Sequence, residues 1–286
     1  MSENLTVGVD NRDSMSAYVV GIDGSGPSEA ALRWATSRAA AQSAPVRLVH
    51  VIEDEWGLAG GDFAKEAMFA GEAVLQRALE QARSTSPEAT ARILHGSPVW
   101  ELTNDCRADE LLVVGTHKTG FLHGRVLGSR SVTVAALAPC SVMVVPTGQS
   151  AARRGVVAGV VWAEGPQLGV ASAAREAARL DEPLTLVHAS PAREGLAADS
   201  EHARERQREL LRRASEIAQT LAPHVSVHTR VSSRRPADAL LEASYNATML
   251  VLEPSRDGTR DVVGSTTHDV LMNINAPVLV SRNDAV

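Results

Sequence analysis

The sequence has little cysteine and no long apolar run, and each lack excludes a class of protein. Its two cysteines, Cys106 and Cys140, are too few for a disulfide framework, and neither a CxxC pair nor a His/Cys cluster accompanies them, so we expect reduced thiols. No apolar span reaches the ~18 residues of a membrane helix, and the first residues do not form a signal peptide. We therefore expect a soluble, cytoplasmic protein that makes no membrane contact.

The sequence also lacks an excess of positive charge. Residues 1–147 carry 17 acidic and 12 basic side chains and residues 148–286 carry 17 and 16, which gives the net charge of −6. Neither half has the basic surplus of a nucleic-acid-binding protein, so nucleic acid is not an expected partner. A chain of 286 residues instead suggests two domains, each of roughly 140 residues.

An internal repeat supports this division. The segment 46–50 matches 184–188 at an offset of 138 residues, and Gly128-Ser129 later matches Gly264-Ser265 at an offset of 136. A repeat of this length indicates two copies of one structural unit. The expected organisation is a flexible tail over residues 1–16, a first repeat over 17–147 and a second repeat over 148–286.

Within each repeat, short β-branched runs alternate with helical patterns. The run Leu111–Val114 is apolar throughout, as in a parallel strand that is covered by helices on both faces. Each repeat is therefore predicted to be a doubly wound α/β domain with a five-stranded parallel sheet in the flavodoxin-like order. In the first repeat we expect strands near 17–23, 46–52, 90–94, 110–115 and 141–145, and helices near 27–42, 66–84, 98–107 and 128–137.

The most informative stretch runs from Gly115 to Ser129, between the fourth strand and a helix. Its glycines permit close approach of the backbone to a ligand, and the pair Gly128-Ser129 begins a helix whose free N–H groups attract an anion. In open α/β sheets, ligands bind beyond the carboxyl ends of the strands, where the strand order reverses. We expect Asp23, which ends the first strand, to meet Gly115 there.

On these residues the chain resembles the universal stress protein family in its tandem-domain form, over almost the whole sequence after the tail. The segment Ala138–Pro146, for example, is similar to the family's closing strand. The ATP-binding members carry a glycine, two residues, a second glycine, nine residues, and then glycine with serine or threonine. Gly115, Gly128 and Ser129 match this pattern, whereas Lys118 occupies the place of the second glycine.

The resemblance implies that Asp23 holds the ribose, that Val51 and Val114 border the adenine, and that residues 115–118 and 128–131 surround the phosphates. The implied ligand is ATP or a related adenine nucleotide, bound with little or no turnover, and Mg²⁺ could accompany it. Lys118 could strengthen phosphate binding or fill the pocket. The predicted binding residues are Gly21, Ile22, Asp23, Val51, Val114, Gly115, His117, Lys118, Gly128, Ser129, Arg130 and Ser131.

The second repeat departs from the pattern. Val161 replaces the ribose acceptor, and Glu253 replaces the glycine after the fourth strand, where a carboxylate would repel phosphate. We expect this repeat to bind no ATP and to serve as a structural partner. The expected contact between repeats joins the closing strands 141–145 and 277–280, and we expect two such chains to form a homodimer.

Two other functions stay open: an interaction module of the same fold that binds no nucleotide and acts through a protein partner, and a slow ATPase that uses Lys118. A Walker P-loop is excluded, because Phe121 and Leu122 stand where lysine and serine or threonine are required. No histidine spacing supports a zinc site, and no nucleophile–base pair marks an enzyme. The arginine-rich run 202–213 is most simply a solvated helix face.

Overall fold

The computed structural model describes residues 15–53, 61–117, 129–148, 153–161, 167–190, 201–253 and 264–282. Strands and helices alternate along both repeats, as the sequence pattern predicts. The strands are β1 Tyr18–Gly21, β2 Val46–Ile52, β3 Thr90–His95, β4 Leu111–Thr116, β5 Ser141–Pro146, β6 Val156–Gly159, β7 Leu184–Ala189, β8 Val227–Ser232, β9 Met249–Leu252 and β10 Val278–Val280. The helices are α1 Gly26–Gln42, α2 Gly61–Arg83, α3 Pro98–Asp105, α4 Ser129–Leu137, α5 Leu168–Leu180, α6 Glu201–Leu221, α7 Pro236–Ala243 and α8 Ser265–Met272.

These strands form one continuous sheet in the order β3-β2-β1-β4-β5-β10-β9-β6-β7-β8. Neighbouring strands within each repeat are parallel, so the predicted doubly wound parallel sheets are confirmed. The order within each repeat is 3-2-1-4-5, which differs from the flavodoxin order 2-1-3-4-5, and that part of the prediction is wrong. Strand spacing cannot reveal the order, because the order depends on the side to which each crossover connection turns.

The two repeats join through their closing strands. Strands β5 and β10 pair in the antiparallel direction, with Val142 opposite Val280 and Val144 opposite Val278. Val142 and Val280 are equivalent positions, 138 residues apart, so an approximate twofold axis passes near this pair. The contact expected between the closing strands is present, and it converts two five-stranded sheets into one sheet.

The core lies on both faces of this sheet, because successive strand residues point to opposite sides. Val20, Val113 and Leu279 belong to one buried cluster, which includes apolar residues of helices α1, α2, α5 and α6. Val19 and Leu112 belong to the other, which includes apolar residues of α3, α4, α7 and α8. Each cluster contains residues of both repeats, so the core is continuous across the joint.

Helix α1 begins and ends at positions with clear local causes. The Ser25 hydroxyl accepts a hydrogen bond from the Ser28 N–H at 3.3 Å, and Pro27 fits the first turn because it has no N–H to satisfy. The helix ends at Ser43, which adopts a left-handed conformation with φ 52°. Helix α5 ends at the equivalent Asp181 but begins one turn later in the repeat, and it has 13 residues against 17 in α1.

The two cysteines correct the expectation of reduced thiols. Cys106 and Cys140 form a disulfide, with their Cα atoms 6.6 Å apart. Cys106 follows helix α3 and Cys140 precedes strand β5, so both lie at the amino edge of the sheet and in the same buried cluster. A separation of 34 residues gave no sign of this pairing, which arises because the fold places the end of α3 beside the start of β5.

The arginine-rich segment forms the outer face of helix α6. Arg212 Nε and Arg213 Nε donate to the Glu209 carboxylate at 2.8 and 2.6 Å, at the three- and four-residue spacings that favour helical ion pairs. These hydrogen bonds lower the pKa of Glu209 to about 2. The charges are largely paired within the helix, in agreement with a solvated face.

Candidate functional site

The candidate site lies where the strand order reverses in the first repeat. Strands β1 and β4 are neighbours at its centre, and the helices that follow them, α1 and α4, pack on opposite faces of the sheet. The connections therefore diverge beyond the carboxyl ends of β1 and β4 and leave a crevice between them. Asp23, which follows β1, and Gly115, near the end of β4, line one pocket in this crevice.

The structure brings most of the predicted binding residues together. They come from the ends of β1, β2 and β4 and from the first turn of α4. Lys118 and Gly128 lie outside the described residues, and Ser129 is the first residue of α4. The predicted residues that line the pocket are Gly21, Ile22, Asp23, Val51, Val114, Gly115, His117, Arg130 and Ser131.

The pocket also includes residues that the sequence argument did not single out. Pro98, Val99 and Leu102 of helix α3 form an apolar wall, and Glu53 adds a carboxylate. Helix α3 reaches the pocket because it packs beside α4 on the same face of the sheet. The sequence does offer one signal for helix α3. Pro98 matches Pro236 of the second repeat, and each proline begins a short helix.

Gly115 is required by a close approach between β4 and the start of α1. A Cβ atom at this position would lie 2.2 Å from the carbonyl carbon and oxygen of Pro27. No side-chain rearrangement relieves such a contact, because the opposing atoms belong to the backbone. The glycine that the sequence marked as a phosphate-loop residue therefore also sets the distance between strand and helix.

Asp23 is held as an ionised hydrogen-bond acceptor. Its Oδ1 accepts a hydrogen bond from the Ser25 N–H at 2.9 Å, and its side chain is exposed at the pocket. Partial burial would raise the pKa of Asp23, but hydrogen bonds with Ser25 and Ser28 and the nearby His117 outweigh it and lower the pKa. The carboxylate can therefore accept further hydrogen bonds from hydroxyl groups of a ligand.

An ion pair lies on the other side of the pocket. Arg130 Nη2 of helix α4 is 2.9 Å from Glu53 Oε1, beyond the end of strand β2. Both side chains are partly exposed, with relative exposures of 67% for Arg130 and 34% for Glu53. Among the described residues, the polar rim of the pocket thus carries two carboxylates, from Asp23 and Glu53, and the guanidinium of Arg130.

The equivalent region of the second repeat is built differently. Glu253 follows strand β9, and its Oε2 accepts a hydrogen bond from the Gly169 N–H in the first turn of α5 at 3.2 Å. Val161, the counterpart of Asp23, is an exposed apolar side chain. A carboxylate of the protein therefore already contacts the start of α5, and the acceptor on the first strand is missing.

Two histidines occupy equivalent positions in the repeats and make the same contact. His50 Nδ1 lies 2.7 Å from the Ile22 carbonyl oxygen, and His188 Nδ1 lies 2.9 Å from the Val160 carbonyl oxygen. In both cases the ring ties the second strand to the end of the first. This geometry gives both histidines a structural role.

Neither a metal cluster nor a membrane helix is found in the part of the chain that the structure describes. Within it, no group of three or more His, Cys, Asp or Glu side chains is placed to hold a metal ion. Likewise, none of the described helices is long and apolar enough to cross a membrane.

Comparison with known proteins gives the same family for both repeats. The model of the universal stress protein family matches residues 16–146 and 160–282. Universal stress protein MT2052 of Mycobacterium tuberculosis is 30% identical over 298 residues, covering 92% of this chain and 94% of that protein. A universal stress protein structure from Archaeoglobus fulgidus has a TM-score of 0.72 at 18% identity, covering 94% and 98% of the two chains. A crystal structure of a universal stress protein in complex with cAMP matches 46% of this chain and 99% of its own, with 23% identity and a TM-score of 0.36.

Proposed function

The chain belongs to the universal stress protein family, and we propose that it binds an adenine nucleotide in the crevice of its first repeat. The observation that carries the proposal is the convergence of Asp23, Gly115 and the first turn of α4 on one pocket. These groups supply a hydroxyl acceptor, a close backbone approach and a helix N-terminus for an anion. ATP is the ligand that the resemblance favours.

Each part of the pocket suits a different part of the nucleotide. The apolar wall, which includes Val51, Val99 and Val114, offers a surface for the adenine ring. Asp23 would accept hydrogen bonds from the ribose hydroxyls. Arg130 and Ser131, in the first turn of α4, would face the phosphates, and Mg²⁺ could accompany them.

Little or no turnover is expected at this site. Asp23 is a carboxylate of the pocket, and its lowered pKa makes it a weak general base. The described side chains of the pocket provide a binding surface more readily than an acid–base pair. The second repeat would then act as a structural partner, while pairing of two chains and contact with a further protein stay predictions.

Isothermal titration calorimetry with ATP, ADP, AMP, cAMP and adenosine tests this proposal. We expect ATP to bind. Asp23→Ala should lower the affinity for adenosine and for ATP by about tenfold to a hundredfold, since hydrogen bonds to a charged acceptor are lost. Glu253→Gln, at the equivalent crevice of the second repeat, is the matched control and should leave the affinity unchanged.

Three outcomes separate the possible functions. Absence of binding at millimolar nucleotide would contradict the proposal and favour an interaction module without nucleotide. Equal losses in the Asp23 and Glu253 variants would place the site elsewhere. Release of ADP over many turnovers, measured with a coupled assay, would instead indicate an ATPase.

A further inference from the structure

A carboxylate and a guanidinium face each other across the pocket of the first repeat. Glu53 follows strand β2, and Arg130 is the second residue of helix α4. The distance between Arg130 Nη2 and Glu53 Oε1 is 2.9 Å, and both residues line the pocket that contains Asp23. The pair thus links one strand end to the helix N-terminus where the phosphates of a nucleotide are proposed to lie.

Arg130 occupies an unfavourable place unless an anion is close to it. A helix N-terminus carries a partial positive charge, so a cation in the first turn is repelled and an anion is attracted. The first turn of α4 contains no acidic residue of its own. Glu53 supplies the missing negative charge from another part of the chain, and a bound phosphate would supply it equally well.

The Glu53–Arg130 pair is suited to exchange. Both side chains are partly open to solvent, and ion pairs of that kind are weak and screened by salt. A nucleotide phosphate is a stronger partner for arginine, because it carries more charge and accepts two parallel hydrogen bonds from the guanidinium. Arg130 can therefore change partner without disturbing a buried part of the fold.

The sequence of the second repeat does not keep the two charged residues of this pair. At the equivalent positions of the second repeat the sequence has Pro191 and Thr266, which carry no charge. The general packing of the fold therefore does not require an ion pair at this place. Its presence beside Asp23 points to a role in the pocket of the first repeat.

We propose that Glu53 and Arg130 form an exchangeable ion pair that sets the preference of this pocket among adenine nucleotides. In the free protein Glu53 holds Arg130 away from the phosphate positions, and on binding Arg130 leaves Glu53 and turns to the phosphates. Glu53 thereby weakens the binding of ATP more than that of AMP, and it leaves adenosine unaffected. This inference rests on the proposed nucleotide site, and it assigns to Glu53 a selectivity role in that site.

Calorimetric titration of the full chain and its Glu53→Gln variant with adenosine, AMP, ADP, ATP and inorganic tripolyphosphate tests the inference. We expect Glu53→Gln to raise the affinity for ATP and for tripolyphosphate by about fivefold, while the adenosine affinity stays unchanged. Arg130→Gln should lower the affinity for ATP, and adding Glu53→Gln to the Arg130→Gln variant should change that affinity little. That non-additivity identifies the pair, since a general change in charge would act equally in both backgrounds.

The matched control is Asp109→Asn. Asp109 is an exposed carboxylate 3.6 Å from Arg107 Nε, and it precedes strand β4 at the opposite end of the sheet. Its neutralisation changes the net charge by the same amount and should leave the ratio of ATP to adenosine affinity unchanged. Thermal unfolding of each variant shows that the fold is retained.

The outcomes distinguish this inference from the proposed function. If ATP binds but Glu53→Gln leaves the ratio of ATP to adenosine affinity as it was, the inference is wrong and the nucleotide site stands. If no adenine compound binds while Glu53→Gln still raises the tripolyphosphate affinity, the ion pair selects anions and the proposed function is wrong. If none of these ligands binds either protein, both are wrong.

Discussion

The two repeats share one architecture and differ most at the carboxyl edge of the sheet. In the first repeat Gly115, near the end of β4, lies against the backbone of Pro27. In the second repeat Glu253, which follows β9, occupies the equivalent position. Gly169 of helix α5 lies against it, and a Cβ added to Gly169 would be 3.2 Å from the Glu253 Cβ. The glycine at this contact lies on the strand in the first repeat and on the helix in the second, and the chemistry of the crevice differs accordingly.

The opposite edge of the sheet shows a second contrast. Glu110 in the first repeat accepts two hydrogen bonds from Arg47 at 2.8 and 2.9 Å. The equivalent Thr248 in the second repeat donates to Glu182 at 2.6 Å. One position is thus held by an ion pair and its counterpart by a hydroxyl. Different polar side chains therefore make the hydrogen bonds at this equivalent position of the two repeats.

The largest expected effect on stability comes from a substitution at the joint, where equivalent residues of the two repeats contact each other. Arg38 of α1 and Glu176 of α5 are equivalent residues, and they form an ion pair across the joint with little exposure. Glu176→Met should lower the free energy of unfolding by about 3 kcal/mol, because it leaves a buried guanidinium without its carboxylate. Adding Arg38→Met should recover part of this loss, as measured by urea denaturation.

The control for this prediction is a carboxylate outside the joint. Glu205→Met removes an exposed partner of Arg208 on α6 and should change the free energy of unfolding by less than about 0.5 kcal/mol. If the double variant at Arg38 and Glu176 lost the sum of the two single effects, the ion pair would not couple the repeats.

Adding a methyl group at Gly115 should have the next largest effect. Gly115→Ala places a Cβ against the Pro27 carbonyl, so we expect a loss of about 3 kcal/mol and displacement of the start of α1. The three atoms nearest to the Cβ of Gly169→Ala in the second repeat belong to Glu253, at 3.2 Å or more, and this variant should cost about 1 kcal/mol.

Gly26→Ala serves as the control, because no atom of the described residues lies within 4 Å of its added Cβ, apart from its chain neighbours and the backbone of its own helix. Thermal unfolding and nucleotide titration of the three variants compare the two crevices directly. Equal stability of the Gly115 and Gly26 variants would show that the strand and the helix can separate without loss.

The smallest effect concerns the response to pH. Burial would raise the pKa of Glu110, but hydrogen bonds from Arg47 and from the Arg107 N–H, with the charges of both arginines, outweigh it and lower the pKa. Because its pKa is lowered, the ionised Glu110 stabilises the fold at pH values above its ordinary pKa of 4.5. This contribution disappears as the pH falls through the pKa of the folded state. Glu110→Gln should therefore cost about 2 kcal/mol at pH 7, and the difference from the unmodified protein should shrink below pH 4.5.

Urea denaturation at a series of pH values measures this difference. Thr248→Val removes an uncharged donor at the equivalent position and is the control for the loss of a hydrogen bond without loss of charge. A difference for Glu110→Gln that stayed constant down to pH 3 would contradict the assignment.

Much of the fold was predictable because its signals are local. Apolar runs such as Leu111–Val114 placed the strands to within a few residues, and the repeat showed that both halves share one pattern. The meeting of Asp23 with Gly115 was also predictable, because parallel strands place their carboxyl ends at one edge. The strand order escaped prediction, since it depends on the direction of each crossover.

Within the site, the residues missed were those that carry no motif. Glu53 and Leu102 reach the pocket from strand β2 and helix α3, and no spacing links them to the glycine segment. The disulfide between Cys106 and Cys140 was missed for the same reason, because contacts between separate elements leave no period in the sequence.

The amino-acid sequence is enough to predict the two repeats, their alternating strands and helices, and the chemical difference between Asp23 and Val161 and between Gly115 and Glu253. These follow from residue type and spacing along the chain. The folded structure was needed to show that the closing strands pair in the antiparallel direction, that Arg38 meets Glu176, and that Glu53 holds Arg130 across the pocket. The physical reason is that hydrophobic periodicity acts over a few residues, whereas ion pairs and strand order depend on how distant elements pack.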